Sequence, residues 1–280
     1  MKSDNHNREH LRTITITSGK GGVGKTNIVA NVAISLQRRG RRVMIFDADL
    51  GLCNVDVLLG LSPRYNIQHV INGEKRLEDI IVKGPEGILI VPASSGIEEL
   101  THLNEVQKLR LLEEFEGLHK RVDYILIDTG AGISTNVTFF CLGAQDIVVV
   151  VTPEPTSLTD SYALIKVLHT KYQEKYFNIL VNYVSGEAEA REVFRRLQLV
   201  TERFLNLSIN YLGFIPYDPM VPRCVKMQNP VIVRYPNSPS SRAFSDLSRR
   251  IEDTHSRGML KGGIQFFFGN ILGVGENVGI

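Results

Sequence analysis

Apolar and polar positions alternate strictly over Thr13-Ile14-Thr15-Ile16-Thr17, a period of two that predicts a β-strand. The period then lengthens: Ile28, Val29, Val32, Ala33 and Leu36 recur on one face of a helix predicted over residues 26–39. Strands are predicted at 42–46, 88–91 and 124–127, with short helical patterns at 67–71 and 77–81. Between them, Val106, Leu109, Leu111, Leu112 and Phe115 predict an amphipathic helix over 103–118, packed on a sheet. The unbroken run Ile147 to Val151 predicts a strand buried on both faces. A helix through residues 163–169, capped by Thr156 or Ser157, follows it; then come a strand at 177–184, a helix at 186–205, a strand at 208–215 and a turn at 216–219. At least seven strands alternating with helices imply an α/β fold: a single doubly wound, mainly parallel β-sheet flanked by helices, with ligands at the carboxyl ends of the strands.

Composition narrows the function classes. A chain of 280 residues, 43% hydrophobic, can bury one large core. Its 32 basic and 30 acidic residues leave a formal charge of +2, too balanced for wholesale nucleic-acid binding. Arg38, Arg39, Arg41 and Arg42 around Gly40 offer a local basic patch, or cations at a helix C-terminus that suit the macrodipole. Cys53, Cys141 and Cys224 are too few and too far apart for a disulfide framework or a C-x-x-C metal site, and fit a reducing compartment. The seven histidines show no ligand spacing. Residues 1–12 predict a flexible polar lead-in without the apolar run of a signal peptide, and no stretch is long and apolar enough to span a bilayer. The expectation is a cytoplasmic protein.

Chemistry concentrates in Ser18 to Asn27, SGKGGVGKTN, where Gly19, Gly24, Lys25 and Thr26 satisfy G-x-x-x-x-G-K-[ST] between a strand and a helix. Glycines in such a loop let backbone N–H groups close on phosphate oxygens, Lys25 supplies charge to the β and γ phosphates, and the Thr26 hydroxyl suits Mg²⁺. Two carboxylates, Asp47 and Asp49, end the second predicted strand, where they can act on Mg²⁺ and its water shell, or cap the helix that follows. Asp128 ends the hydrophobic strand at 124–127 and is placed to hold a Mg²⁺-bound water; the glycines after it suit a switch loop. Asn182 carries an amide, the complement of an adenine edge, which could as well tie a loop to the backbone.

A second lysine, Lys20, makes the loop Gly19-Lys20-Gly21-Gly22-Val23-Gly24-Lys25-Thr26, which resembles the deviant Walker A motif of the MinD/ParA family of P-loop ATPases. The runs DADLGLCNVDVLLG, IDTGAGIS, TPEPTSLTDSYALIK, GFIPYDPMV and GGIQFFFGNIL narrow the resemblance, over about residues 12–272, to the FlhG/FleN branch, flagellar-number regulators related to MinD. That resemblance implies an ATPase using ATP and Mg²⁺ as a homodimer, with Lys20 reaching across to the partner's ATP. It places Asp47 in the outer shell of Mg²⁺, Asp49 on the attacking water, Glu154 near the ribose, Asn182 at adenine, and Pro216 to Asp218 in the base pocket. It further implies an FlhF-type GTPase, flagellar switch or C-ring proteins, or a flagellar transcription regulator as partners. Of the D-Q-A-x-x-L-R helix with which some members stimulate the GTPase, only Leu11-Arg12 is present.

The ATPase domain is expected over 13–254, followed by a tail at 255–280. If residues 259–272 are helical, Leu260, Ile264, Phe267, Phe268 and Ile271 form one apolar stripe suited to a membrane interface or to docking on the core, although Gly262, Gly263 and Gly269 weaken it. The expected location is cytoplasmic, peripheral on the inner-membrane lipid in the ATP state. A ParA-type partition ATPase whose dimer binds DNA shares the catalytic parts, but the aromatic tail and near-neutral charge argue against direct nucleic-acid binding. A metallocluster or metabolic relative, such as the nitrogenase iron protein, is a third class, but the spacing of Cys53, Cys141 and Cys224 gives it no ligand set at the expected positions.

Overall fold

The computed structural model describes residues 11–49, 54–92, 104–116, 118 and 121–254. In chain order the strands are β1 (Arg12–Ser18), β2 (Val43–Ala48), β3 (Val82–Lys83), β4 (Leu89–Val91), β5 (Tyr124–Ala131), β6 (Asp146–Val151), β7 (Asn178–Val184) and β8 (Asn210–Pro216). The helices are α1 (Lys25–Arg38), α2 (Asn54–Leu58), α3 (Ile67–Ile71), α4 (Leu77–Ile80), α5 (Glu105–Glu116), α6 (Thr135–Gly143), α7 (Pro155–Tyr172), α8 (Glu187–Leu205), α9 (Met220–Lys226), α10 (Val231–Arg234) and α11 (Pro239–Asp253). One sheet runs β3-β4-β2-β5-β1-β6-β7-β8, parallel except for the antiparallel edge strand β3. This is the expected doubly wound sheet with one strand more, because Val82–Lys83 is too short to show a period.

Strand alternation sorts side chains to the two faces. Ile14 and Ile16 of β1, with Val148 and Val150 of β6, join a core under α1, α10 and α11. Ile147, Val149 and Val151 face α7 and α8 instead. The threonines of β1 take the opposite face from its isoleucines, where Thr15 Oγ1 donates to the Phe140 carbonyl of α6 at 2.8 Å. Helix α1 is buried on nearly all sides, Ala30, Ile34 and Ser35 as well as the predicted stripe, because α11 covers the face the sheet leaves open. Ser35 and Ser248 share a buried hydroxyl pair at 2.7 Å across that contact.

Two sequence expectations are corrected, and one alternative is decided. Helix α5 buries Leu111 and Phe115 but turns Val106 and Leu109 outward, 65% and 53% exposed, so only part of the predicted stripe packs inward. Helix α7 begins at Pro155, a residue whose missing N–H costs nothing in the first turn, and neither Thr156 nor Ser157 caps it. Ser157 Oγ accepts from the Thr152 amide at 3.0 Å, while Thr156 Oγ1 accepts from Lys20 at 2.9 Å. The arginines around Gly40 are all engaged in ion pairs: Arg38 with Glu86 at 2.6 Å, Arg39 and Arg41 with Glu252, and Arg42 with Asp123 at 2.6 Å. Gly40 turns the chain at φ +84°, and the cations staple neighbouring elements, not a basic groove. Residues 1–10 and the tail from 255 lie outside the described residues.

Candidate nucleotide site

Strand order reverses beside β1, which lies between β5 and β6 although the chain goes from β1 to β2. The carboxyl ends of β1, β2 and β5 therefore open onto one crevice. The loop after β1 crosses it and delivers Gly24 as the N-cap of α1, left-handed at φ +93°, ψ +19° and with no side-chain cap. The first amides of α1 thus keep no side-chain acceptor, and no acidic residue occupies the first turn, so the helix start can receive an anion. A methyl group on Gly21 or Gly22 would meet nothing within 4 Å, which leaves that side of the loop open. Gly19 is the opposite case. A methyl there would stand 2.1 Å from the Asp160 carbonyl carbon, so the start of the loop lies directly against the backbone of α7. Gly19→Ala is expected to push loop and helix apart, lowering nucleotide affinity by at least tenfold in a titration with Mg-ADP, or preventing folding; an Ala variant that binds like wild type would refute the close packing.

Lys25 is 8% exposed and donates from Nζ to Ser18 Oγ at 3.0 Å. Burial pulls its pKa down, opposed by the charges of Asp128 and Asp49. Ser18 in turn donates to the Lys20 carbonyl at 2.7 Å, which ties the charged side chain to the loop it serves.

The carboxylates cluster by register. Asp47 and Asp128 are directly paired neighbours on β2 and β5, and Asp128 is also level with Ile16 of β1. Asp47 is buried and accepts from the Asp49 amide at 3.1 Å and the Val55 amide at 3.3 Å. Burial pushes its pKa up to about 7, against those two hydrogen bonds. Asp128 is fully buried, and burial followed by the nearby Asp47 charge pushes it up to about 8. Thr26 is close enough to oppose that shift, yet neither carboxylate oxygen of Asp128 has a hydrogen-bond partner of ordinary geometry among the described residues. A buried carboxylate without donors is costly unless a cation or its water answers it. The set Thr26, Asp47 and Asp128, all oxygen donors, fits a hard divalent cation such as Mg²⁺. Asp49 sits half-buried beside it, with Oδ1 3.4 Å from where a methyl on Gly130 would stand.

The remaining predicted residues lie at the start of α7 and around the ends of β7 and β8, apart from Lys20 in the loop after β1. Lys20 Nζ pairs with Glu154 of the same chain and donates to Thr156 Oγ1 at 2.9 Å. Asn182 donates from Nδ2 to the Val23 carbonyl at 2.8 Å and accepts the Tyr183 amide on Oδ1 at 2.9 Å, the loop-tying alternative of the sequence reading. Pro216 ends β8 in register with Val184. Asp218 accepts from the Met220 amide on Oδ1 at 2.9 Å and from the Ser240 hydroxyl on Oδ2 at 2.6 Å. Burial opposes its ionisation, but these donors outweigh it and hold the carboxyl below its ordinary range. Its side chain thereby fastens the start of α11 to the loop after β8.

A sequence model of the ParA family, described as NUBPL iron-transfer P-loop NTPases, matches residues 10–252. The chain belongs to the ParA/MinD family of P-loop ATPases. Within the family it is 42% identical over 257 residues, 92% of each chain, to the antiactivator FleN of Pseudomonas aeruginosa. It is 35% identical over 275 residues to the flagellum site-determining protein YlxH of Helicobacter pylori, covering 97% of this chain and 93% of that one. Among solved structures it resembles MinD in the MinC:MinD cell division protein complex of Aquifex aeolicus, with a TM-score of 0.71 and 27% identity over 88% of this chain and 97% of that one. MinD of Pyrococcus horikoshii, solved with Mg-ADP, superposes with a TM-score of 0.69 and 27% identity over 86% of this chain and 96% of that one. As in the rest of the family, the activity is ATP hydrolysis.

Proposed function

We propose that this ATPase uses Mg²⁺ and ATP, pairs with a second copy of itself in the ATP state, binds the inner membrane reversibly through residues 255–280, and regulates the number and placement of flagella. The observation that carries the nucleotide reading is the unanswered Asp128 carboxylate beside Thr26, Asp47 and the buried Lys25. Bound Mg²⁺ neutralises charge that builds on the phosphates during transfer. The chain's own residues do the rest. The amides at the start of α1 and Lys25 hold phosphate, Asp128 and Asp47 hold the metal's waters, and Asp49 orients the attacking water and takes up its proton. Glu154 and the Pro216 to Asp218 turn flank the ribose and base, and Asn182 supports the phosphate loop through Val23.

The flagellar assignment is supported by the likeness to FleN and to YlxH, and points to an FlhF-type GTPase, a flagellar switch component or a flagellar transcription regulator as partner. Among the described residues no helix is long and apolar enough to cross a membrane. One short amphipathic tail binds lipid marginally, but two presented together by a dimer raise avidity by roughly 10² to 10⁴. The protein is expected to sediment with anionic liposomes in ATP and much less in ADP, and Phe267→Glu with Phe268→Glu is expected to stay in the supernatant while still dimerising. Equal sedimentation in ATP and ADP, or sedimentation of the double variant, would remove the membrane function. Sedimentation with DNA in place of liposomes would favour the partition-type reading.

A further inference from the structure

Among the described residues, five other than glycine have positive φ: Glu86, Gln173, Tyr183, Asn206 and Gln228. Gln173 and Asn206 end helices, Gln228 follows α9, and Glu86 lies in the turn before β4. Tyr183, at φ +61°, is different, because it stands inside β7 one residue from its end. A bulky residue in the left-handed region is strained, and such strain persists only where the surroundings enforce it.

The strain has a geometric result. Successive side chains of a strand point to opposite faces, so Asn182 and Tyr183 should diverge. Instead the register with β8 jumps between Asn182 and Val184, and both side chains reach one spot. A methyl group built on Gly24 would stand 2.6 Å from Asn182 Nδ2, 2.9 Å from Tyr183 Oη and 3.4 Å from Tyr183 Cζ. Gly24 is the left-handed N-cap from which the amides of α1 fan out. Core packing does not explain the residue, which is 40% exposed as a whole and belongs to none of the hydrophobic core clusters.

We propose that Tyr183 is a positioning residue of the phosphate loop: its ring, turned to the side of Asn182 by the left-handed backbone, buttresses the turn at Gly24 and so sets the direction of the amides that hold a nucleotide's phosphates. Asn182 fixes Val23 by a hydrogen bond, and the hydroxyl end of the Tyr183 ring fills the space beside the next residue that a side chain on Gly24 would need. Together they clamp the loop from β7, a strand that contributes nothing to the phosphate pattern in sequence. The inference rests on the nucleotide reading above and adds to it the residue that holds the loop in its binding shape.

Titration calorimetry with Mg-ADP and Mg-inosine diphosphate, beside thermal unfolding of the nucleotide-free protein, tests it. Asparagine tolerates the left-handed region, so Tyr183→Asn removes the ring without adding strain. Its unfolding midpoint is expected to be unchanged or higher while its dissociation constants for both diphosphates rise about tenfold, equivalent to about 1.4 kcal/mol. Tyr183→Phe keeps the ring and is expected to stay within about threefold of wild type. Binding of the Asn variant within twofold of wild type overturns the proposal. So does a loss confined to one diphosphate, which would assign the ring to the base, or a midpoint that falls with the affinity, which would make the residue part of the fold's general support. If the wild type itself binds neither diphosphate, the nucleotide reading has failed, and the positioning role falls with it.

Discussion

Asp128→Asn is expected to reduce Mg²⁺-dependent ATP hydrolysis by about 10² to 10³-fold while stabilising the nucleotide-free protein at alkaline pH. The first effect follows from removing a charged oxygen that would face the metal's water. The second follows from the same carboxylate's position in the empty site, fully buried and without a hydrogen-bond partner among the described residues. Burial raises its pKa from an ordinary 3.8 to about 8, so between about pH 4 and pH 8 the native state keeps a proton that the unfolded chain has lost. Native stability from this group therefore falls as pH rises through that window and levels off above it. Asp47, raised to about 7, acts in the same direction. Asp123, Glu252 and Asp218, held low by arginines or hydroxyl and amide donors, act oppositely and lose their contribution in acid. The difference between variant and wild type cancels those common terms. Thermal unfolding of both proteins at pH 5, 7 and 9 should show the gap widening in favour of Asp128→Asn, and Mg-ATP should reduce the gap, since the cation favours the ionised carboxylate. A gap that does not change with pH would mean that Asp128 is not protonated in the empty site.

The loop around Gly24 and the carboxylates Asp47 and Asp128 were legible because their chemistry is written in short sequence patterns, although β5 runs on to Ala131 past the expected stop at 127, and a buried parallel strand such as Ile147 to Val151 has no other way to read. A doubly wound, mainly parallel sheet followed from the alternation of strands and helices, while the order of its strands is read only from the structure. Side-chain destinations did not follow either. Thr156 and Ser157 look alike as caps before a helix, yet one meets Lys20 and the other holds the Thr152 amide, because Pro155 starts α7 earlier than either hydroxyl could cap it. Asp218 carries the same ambiguity. An aspartate between two prolines suggests a turn, and only the approach of Ser240, 22 residues later, shows where its carboxylate goes. Tyr183 left no sequence signal at all, since a left-handed residue inside a hydrophobic strand is a tertiary decision. The exposure of Val106 and Leu109 is another, for a helical stripe records which residues share a face but not how wide the covering surface is.

Asp49→Ala and Lys20→Ala are expected to slow turnover by different routes, and the contrast separates water activation from dimer assembly. Lys20 is engaged within its own chain by Glu154 and Thr156, with side-chain exposures of 33% for Lys20 and 61% for Glu154. An ion pair that open to solvent contributes about 1 kcal/mol or less. By contrast, a cation brought against developing charge in a site closed to water is worth about 3 kcal/mol, a factor of 10² or more in rate. The intrachain pairing is therefore weak enough to be exchanged for a contact with the partner's nucleotide. Lys20→Ala should bind Mg-ATP within about threefold of wild type, because Lys25 and the glycine loop still hold the phosphates, but should lose ATP-dependent light scattering together with about 10²-fold in hydrolysis. Asp49→Ala leaves that exchange intact and removes the group beside the attacking water, so ATP is retained, dimers accumulate, and hydrolysis falls by about 10² to 10⁴. Glu154→Gln should dimerise at lower ATP than wild type if the intrachain pair is what holds Lys20 back. A Lys20→Ala protein that dimerises and hydrolyses normally would confine this lysine to its own chain, and a monomeric Asp49→Ala protein with normal turnover would remove the water-orienting role from that carboxylate.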